Sequence, residues 1–483
     1  MPPNERTRQN AALTKPTFTT GPTMRHVVVM TATSSLGLVA VFAVDLANLF
    51  YISLLGQQAL AAAIGYAATI MFFTISVSIG LSIGATAIVS RSLGAEEDER
   101  AAREATACLL LVFVITGLVA IALYPNIEAA LRLLGAQGET LRIAVDFMRI
   151  VVPSGPLLGL GMAFGGLLRA KGDANRAMYV TLSAAAIAAV LDPLLIFGLD
   201  LGITGAAITT VVARVGLVIV GLWGTHRVHR MLGHPSLPDL RRVAWPYAVI
   251  AVPAVATQLA TPVGNAYVTQ AIAQFGDDAV AGWAIVGRIL PVAFGTIFAL
   301  SGAVGAILGQ NYGARLFDRV EQALKDALIF TIVYVVVVWI VLAVARDALV
   351  VAFDASGDAA SIVRFFCLFV AGSFLFNGAL FVANAAFNNL GFAFYATLFN
   401  WGRATLGVIP FVWVGQRYGA EGVLAGWGLG AVLFGVLAIV VALRVVRVLP
   451  DHEAEADPKR YAPPTANSPY TSGKGAVGMF GRD

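Results

Sequence analysis

The chain has 483 residues, 58% of them hydrophobic and only 12% charged, with a mean hydropathy of +0.80. Soluble globular proteins carry about 25% charged residues, so this composition excludes a water-solvated fold and makes lipid the solvent. The net charge of +4 then reflects membrane topology rather than a nucleic-acid partner, because basic residues collect in the loops on one side of a bilayer.

In chain order, residues 1–26 are polar and lack the apolar core of a cleaved signal peptide, so they read as a cytoplasmic tail. About twelve apolar spans of roughly 20 residues follow. Their limits are near 27–54, 59–89, 105–124, 144–168, 177–199 and 203–224, then 246–274, 279–309, 326–345, 362–388, 393–415 and 422–444. Residues 27–224 thus form one six-span lobe and 246–445 another. The linker 225–245 carries Arg227, Arg230, Arg241 and Arg242. Residues 446–483, rich in Pro, Ser, Gly and charge, are expected to be a disordered cytoplasmic tail. With the N-terminus inside, about 23 of the 32 Lys and Arg fall on the inner side and about 5 on the outer, as the positive-inside rule requires. The fold class is an all-α integral membrane protein of twelve transmembrane helices, both termini cytoplasmic.

The halves repeat. A shift of 219 positions lays Ser90-Arg91-Ser92-Leu93-Gly94-Ala95 over Gly309-Gln310-Asn311-Tyr312-Gly313-Ala314. With one residue of slip, Gly56-Gln57-Gln58-Ala59-Leu60-Ala61 lies over Gly276-Asp277-Asp278-Ala279-Val280-Ala281. Pro193, Gly202 and Gly205 lie over Pro410, Gly419 and Gly422 at a spacing of 217. Six spans per half give both lobes the same orientation, related by an axis along the membrane normal, as in carriers built from duplicated halves.

A charge at bilayer depth costs a few kcal/mol, which makes each one a functional candidate. Asp45 and Asn48 share a helix face in span 1, and Asp192 lies deep in span 5. Pro193 has its counterpart in Pro410, whereas Ile409 stands over Asp192, so the prolines read as shared helix-bending architecture and the carboxylate as chemistry added to one lobe. Desolvation favours a neutral carboxylic acid, which suits proton exchange. Equally, Asp45, Asn48, Asp192 and carbonyls freed by Pro193 supply oxygen ligands for Na+. The coupling ion is H+ or Na+, with no other cofactor. Arg149 lies three residues after Asp146 near the outer end of span 4, where a local ion pair or snorkelling accounts for it. Arg214 is mid-span and needs a partner. Arg288 and Arg403 face no carboxylate in their half, and with Gln258, Asn265, Asn377 and Asn384 they are candidates for a substrate cavity. Cys108 and Cys367 are small buried hydrophobes, and no His lies within a span, so the apolar core has neither a metal cluster nor a histidine base. An enzyme is not the reading.

The segments Ile52-Ser53-Leu54-Leu55-Gly56-Gln57-Gln58-Ala59-Leu60-Ala61, Leu168-Arg169-Ala170-Lys171-Gly172-Asp173 and Leu191-Asp192-Pro193-Leu194-Leu195-Ile196-Phe197-Gly198, with the two repeated turns, resemble the MATE family of multidrug and toxic compound extrusion transporters, and its DinF-like branch in particular. The resemblance covers about residues 27–445. It implies two pseudo-symmetric lobes around a central cleft, monomeric in a bacterial inner membrane, exporting small organic cations by antiport with H+ or Na+. It also implies a cation site in the first lobe, to which Asp192 carries over. In span 1 the family's aspartate position falls on Asn48, with Asp45 one turn earlier. Ala188 stands where many relatives carry Asn, and Thr261 where other branches place a span-7 carboxylate. A lipid-linked sugar flippase or polysaccharide exporter of the same superfamily is the alternative, and requires Arg214, Arg288 and Arg403 to converge on an anionic headgroup.

Overall fold

The computed structural model describes residues 16–54, 58–234 and 236–456, with 45–50, 52–54, 58–59, 61 and 451–456 as backbone alone. Among the described residues every regular element is helical, as it must be where no water can satisfy an open backbone edge. The helices are α1 (Thr23–Leu54), α2 (Gln58–Gly94), α3 (Asp98–Leu133), α4 (Gly138–Lys171), α5 (Ala174–Gly198) and α6 (Gly202–Val228) in the first lobe. The second lobe holds α7 (Leu237–Ala273), α8 (Asp277–Gly313), α9 (Phe317–Ala352), α10 (Gly357–Leu368 with Val370–Leu390), α11 (393–415) and α12 (Gly419–Ala456). Among the described residues eleven stretches are long and apolar enough to cross a bilayer. The last, Ala393–Pro450, is two crossings: the chain reverses through Gln416–Tyr418 into Gly419, at φ +81°, and a Cβ on Gly415 would collide with the Gly422 carbonyl.

The boundaries differ from the expected ones at two places. Helix α6 runs on to Val228 and α7 starts at Leu237, so the linker expected over 225–245 shortens to residues 229–236. Helix α12 continues to Ala456, past the expected start of a disordered tail at 446, because Val446 and Leu449 extend the buried stripe of Ala438 and Ala442. Residues beyond 456 lie outside the described ones.

On the side that carries the first described residues, the turn between α4 and α5 is pinned by Asp173. Its carboxylate accepts the Arg176 backbone N–H at 3.0 Å and contacts the Arg176 guanidinium at 2.5 Å and His229 Nε2 at 2.6 Å. Burial alone would raise this carboxyl, but His229, the Arg176 backbone N–H and the guanidinium outweigh it and hold it well below the usual carboxylate range.

The lobes meet through a pseudo-two-fold set of contacts: α1 lies on α8, α7 lies on α2, and α2 and α8 cross at the axis. The repeated turns face each other there. A Cβ on Gly94 would collide with the backbone of Gln310, and one on Gly313 with the backbone of Arg91, which are the same contact seen from each lobe. Only a residue without a side chain allows this approach. Arg91 fastens the seam by donating from Nε to the Asn389 carbonyl at 2.9 Å.

Overpacking of a closed contact costs about 1–3 kcal/mol, so Gly94→Leu and Gly313→Leu each lower the thermal unfolding midpoint in detergent. Gly287→Ala, whose methyl meets nothing within 4 Å, holds or raises it. Removing the α5 cap with Asp173→Ala costs about 1 kcal/mol near neutral pH. Because the folded carboxyl is depressed, that stabilisation is present above the unfolded value near pH 4, and the difference from wild type narrows as pH falls below it.

Candidate cation site and central cleft

Helix α5 is regular until Asp192 and then widens into a π-type turn over Leu194–Gly198. Pro193 causes this: its ring has no N–H for the preceding turn and collides with it, so the helix unwinds locally. Asp192 sits at the lip of that irregularity and is 1% exposed. A carboxylate at this depth is costly unless it is compensated or protonated.

Helix α1 runs alongside α5, and two contacts fix its register. A Cβ on Gly37 would strike Thr181, and the Tyr51 ring meets Phe197 edge-on at 5.9 Å. Interpolated between these points, the backbone turn holding Asp45 and Asn48 is level with Asp192. The side chains of Asp45 and Asn48 lie outside the described residues.

The shape of the cleft can be followed along one stripe of α8, at seven-residue steps. At the N-terminal side of the membrane a Cβ on Gly309 would collide with Ser90. One on Gly302 would lie 3.3 Å from Arg169 Nε, and one on Gly295 3.5 Å from Phe42. At the next step Arg288 is exposed, and its neighbour Gly287 has open space around it. The lobes therefore touch tightly at the end that carries Gly309, and Arg288, three steps along the same stripe, is exposed. On α7, a Cβ on Gly84 would lie 3.0 Å from Ala251 and one on Gly80 would collide with the backbone of Val255, and Gln258 and Asn265, further along the helix, are half-buried.

The other candidates are elsewhere. Asn377 and Asn384 are 4% and 6% exposed inside the second lobe, where Asn384 accepts a hydrogen bond from Asn400 at 2.9 Å, so they pack helices rather than line the open cleft. Pro410 opens the second part of α11, just after a π-type turn over Arg403–Gly407, so that helix, like α5, loosens beside its proline. Arg403 is 6% exposed and donates to Thr261 Oγ1 at 3.1 Å. Among the described residues Arg214 has no carboxylate partner. It donates to the Val151 carbonyl at 3.0 Å and to Ser154 Oγ at 2.8 Å, beside a cavity of about 20 Å3, room for one water. Arg149 and Asp146 are both exposed and form no ion pair with each other, which leaves snorkelling as the reading of Arg149. Arg214, Arg288 and Arg403 thus do not converge: Arg214 and Arg403 are buried in separate lobes and Arg288 is exposed. Sequence reasoning had no role for Arg169, whose buried Nε faces the closed end of the cleft; its signal was a cation two residues before the end of α4.

Two duplicated six-helix lobes around a central cleft are the architecture of a membrane transporter. The chain belongs to the MATE family: the MatE family model matches residues 33–194 and again 253–414, one copy per lobe. It is 29% identical over 433 residues to a protein named FAD transporter from Shewanella oneidensis, covering 88% of this chain and 95% of that one. It is 24% identical to the multidrug export protein MepA of Staphylococcus haemolyticus, covering 79% and 84%. Among solved structures, a mutant of the Vibrio cholerae MATE transporter VcmN superimposes with a TM-score of 0.84 at 25% identity over 88% of this chain and 97% of that one. An outward-facing MATE multidrug resistance transporter gives 0.85 at 20% identity over 90% and 98%.

Single cysteines at Gln258, Asn265 and Arg288 react with a membrane-impermeant maleimide added from the open side. Cysteines at Asn377 and Asn384 do not, and neither do the buried native Cys108 and Cys367. Labelling at 377 or 384 as fast as at 288 would overturn the assignment of the cleft wall.

Proposed function

We propose that the protein is a secondary active exporter in which Asp192, with Asp45 and Asn48 on the facing turn of α1, binds the coupling H+ or Na+. The observation that carries this is the burial of Asp192 at the unwound step of α5, level with a second carboxylate position, in one lobe only. A site between α1 and α5 is well placed to act on the lobes, because α1 packs on α5 with one face and on α8 of the other lobe with another. Cation binding shifts the balance of inward- and outward-open states by its differential affinity for the two. An ion entering down about 100 mV supplies about 2.3 kcal/mol, enough for a roughly 50-fold gradient of a neutral cargo; for a monovalent cation exchanged one for one the potential cancels, and the ion's own concentration gradient drives export. The positive-inside count supports cytoplasmic termini in a bacterial inner membrane. The closed end of the cleft is then cytoplasmic and its mouth faces outward. Oxygen atoms from Asp45 and Asp192 suit a Na+ ion as well as a proton.

The cargo reading is amphipathic organic compounds, cations among them, carried by a monomer; the relatives named multidrug export proteins support it. A second reading is favoured by the exposed Arg288 and by the relative named FAD transporter: cargo bearing an anionic group. The two differ in electrical character. Exchange of a monovalent organic cation for one proton moves no net charge, whereas export of an anion against an entering cation moves at least two. A lipid-linked sugar flippase is disfavoured by the scattered arginines.

The test is uptake into everted vesicles of ethidium and, separately, of FAD, under imposed proton, sodium or potassium-diffusion gradients. Ion-driven uptake falls at least tenfold in Asp192→Asn and Asp45→Asn. Undiminished ion-driven uptake in Asp192→Asn sinks the coupling site. A membrane potential alone drives the anion and not the monovalent cation.

A further inference from the structure

Residues 1–26 read as a solvated tail, yet the described part of that segment is built into the seam between the lobes. Phe18 is 1% exposed and belongs to the apolar cluster of the second lobe, which Ala174 of the first lobe also joins. Its backbone is held from the second lobe. Phe18 N–H donates to Gln310 Oε1 at 2.9 Å, and its carbonyl accepts from Asn311 Nδ2 at 3.2 Å and Arg319 Nη2 at 2.9 Å. Arg319 Nη2 also donates to the Gly21 carbonyl at 3.0 Å, and its Nε to Asn311 Oδ1 at 3.1 Å. The neighbouring residue is tied to the first lobe, where Thr17 Oγ1 donates to the Lys171 carbonyl at 3.0 Å. Gln310 completes the bridge by donating from Nε2 to the Ala170 carbonyl at 2.6 Å. Just beyond, Thr23 Oγ1 donates to buried Asp326 at the foot of α1.

We infer that residues 16–21 are a latch on the closed end of the cleft, which holds the lobes together there and must leave its groove before that end opens. The geometry requires this order. Opening the seam separates Ala170 and Lys171 from Gln310 and Asn311, and the strap bonds to both sides at once, so it cannot stay attached to each. Neutral and charged donors both contribute. Arg319 gives a charge-assisted bond to two strap carbonyls, and such bonds are stronger than neutral ones. Phe18 adds a buried aromatic side chain, packed in a cluster that holds mostly second-lobe residues together with Ala174 of the first lobe. The latch therefore lowers the population of the state open on this side without touching cargo or the ion site. The foot of α1 continues directly from the strap, so release of the latch and movement of the helix carrying Asp45 are mechanically linked.

The experiment is a spin-label distance measurement on the full chain in lipid vesicles, with labels at Glu99→Cys and Asp318→Cys. These positions are related by the same 219-residue repeat and start α3 and α9 on the two sides of the seam. Wild type gives a predominantly short distance. Phe18→Ala and Arg319→Ala each raise the longer-distance population at least threefold. Phe18→Leu, which keeps an apolar plug, stays near wild type, as does Thr20→Ala at an exposed position of the strap. Should Arg319→Ala fail to fold, Asn311→Ala, which deletes one strap bond, takes its place. An unchanged distance distribution in Phe18→Ala and in the second variant, with both proteins monodisperse, overturns the latch. The readout involves neither cargo nor gradient, so its failure is distinguishable from failure of the coupling site.

Discussion

The close approach of two glycines to two backbones at the pseudo-axis is the constraint on which the rest of this molecule depends. Gly94 against Gln310 and Gly313 against Arg91 bring helices α2 and α8 to a separation that no side chain tolerates. Each of these helices leads the chain through its lobe's repeated turn. Everything at the closed end follows from that contact: Arg91 can reach the Asn389 carbonyl, Gln310 can reach Ala170, and a groove remains that is just wide enough for Phe18. Loosening the contact along the α8 stripe, from Gly309 to Gly302 to Gly295, is what produces a wedge-shaped cleft instead of a uniform interface.

This contact was legible as a repeat long before it could be legible as a contact. A duplicated Leu-Gly-Ala or Tyr-Gly-Ala turn after a long apolar helix marks equivalent positions in two lobes. Only in three dimensions do those equivalent positions prove to be each other's partners. The span count was legible because hydrocarbon demands long apolar helices. Even the disagreement of eleven stretches with twelve crossings comes from one tight glycine turn that leaves almost no loop. Span ends were less legible, since Val446 and Leu449 belong to a buried stripe while their neighbours are charged.

What the sequence hid was partnership between polar side chains and backbone. An arginine in an apolar span suggests a missing carboxylate, and Arg214 and Arg403 were weighed in those terms. Their partners are a carbonyl, a serine and a threonine, which occur everywhere in such helices and give no pattern to search for. The strap was hidden for a related reason. One phenylalanine in a polar segment has no periodicity, and the groups that hold it are main-chain atoms whose availability depends on the fold. Conversely, spacing allows Asp146 and Arg149 either to pair or to snorkel outward separately, and both side chains are exposed without meeting.

The asymmetry between the lobes is the remaining physical argument. The scaffold is duplicated down to the prolines in α5 and α11 and the π-type turns beside them, yet the first lobe buries Asp192 where the second has Ile409, and the second buries Arg403 on the same helix as that isoleucine. A site that exchanges a cation must change charge as the ion comes and goes, which a carboxylate does and a guanidinium does not. Two identical exchanging lobes would each demand compensation in the same cleft. In the coupling proposed above, one exchanging lobe faces one of fixed charge, so a single binding event would unbalance the pair, and helix α1, which packs on α5 and on α8, is the element that joins the two.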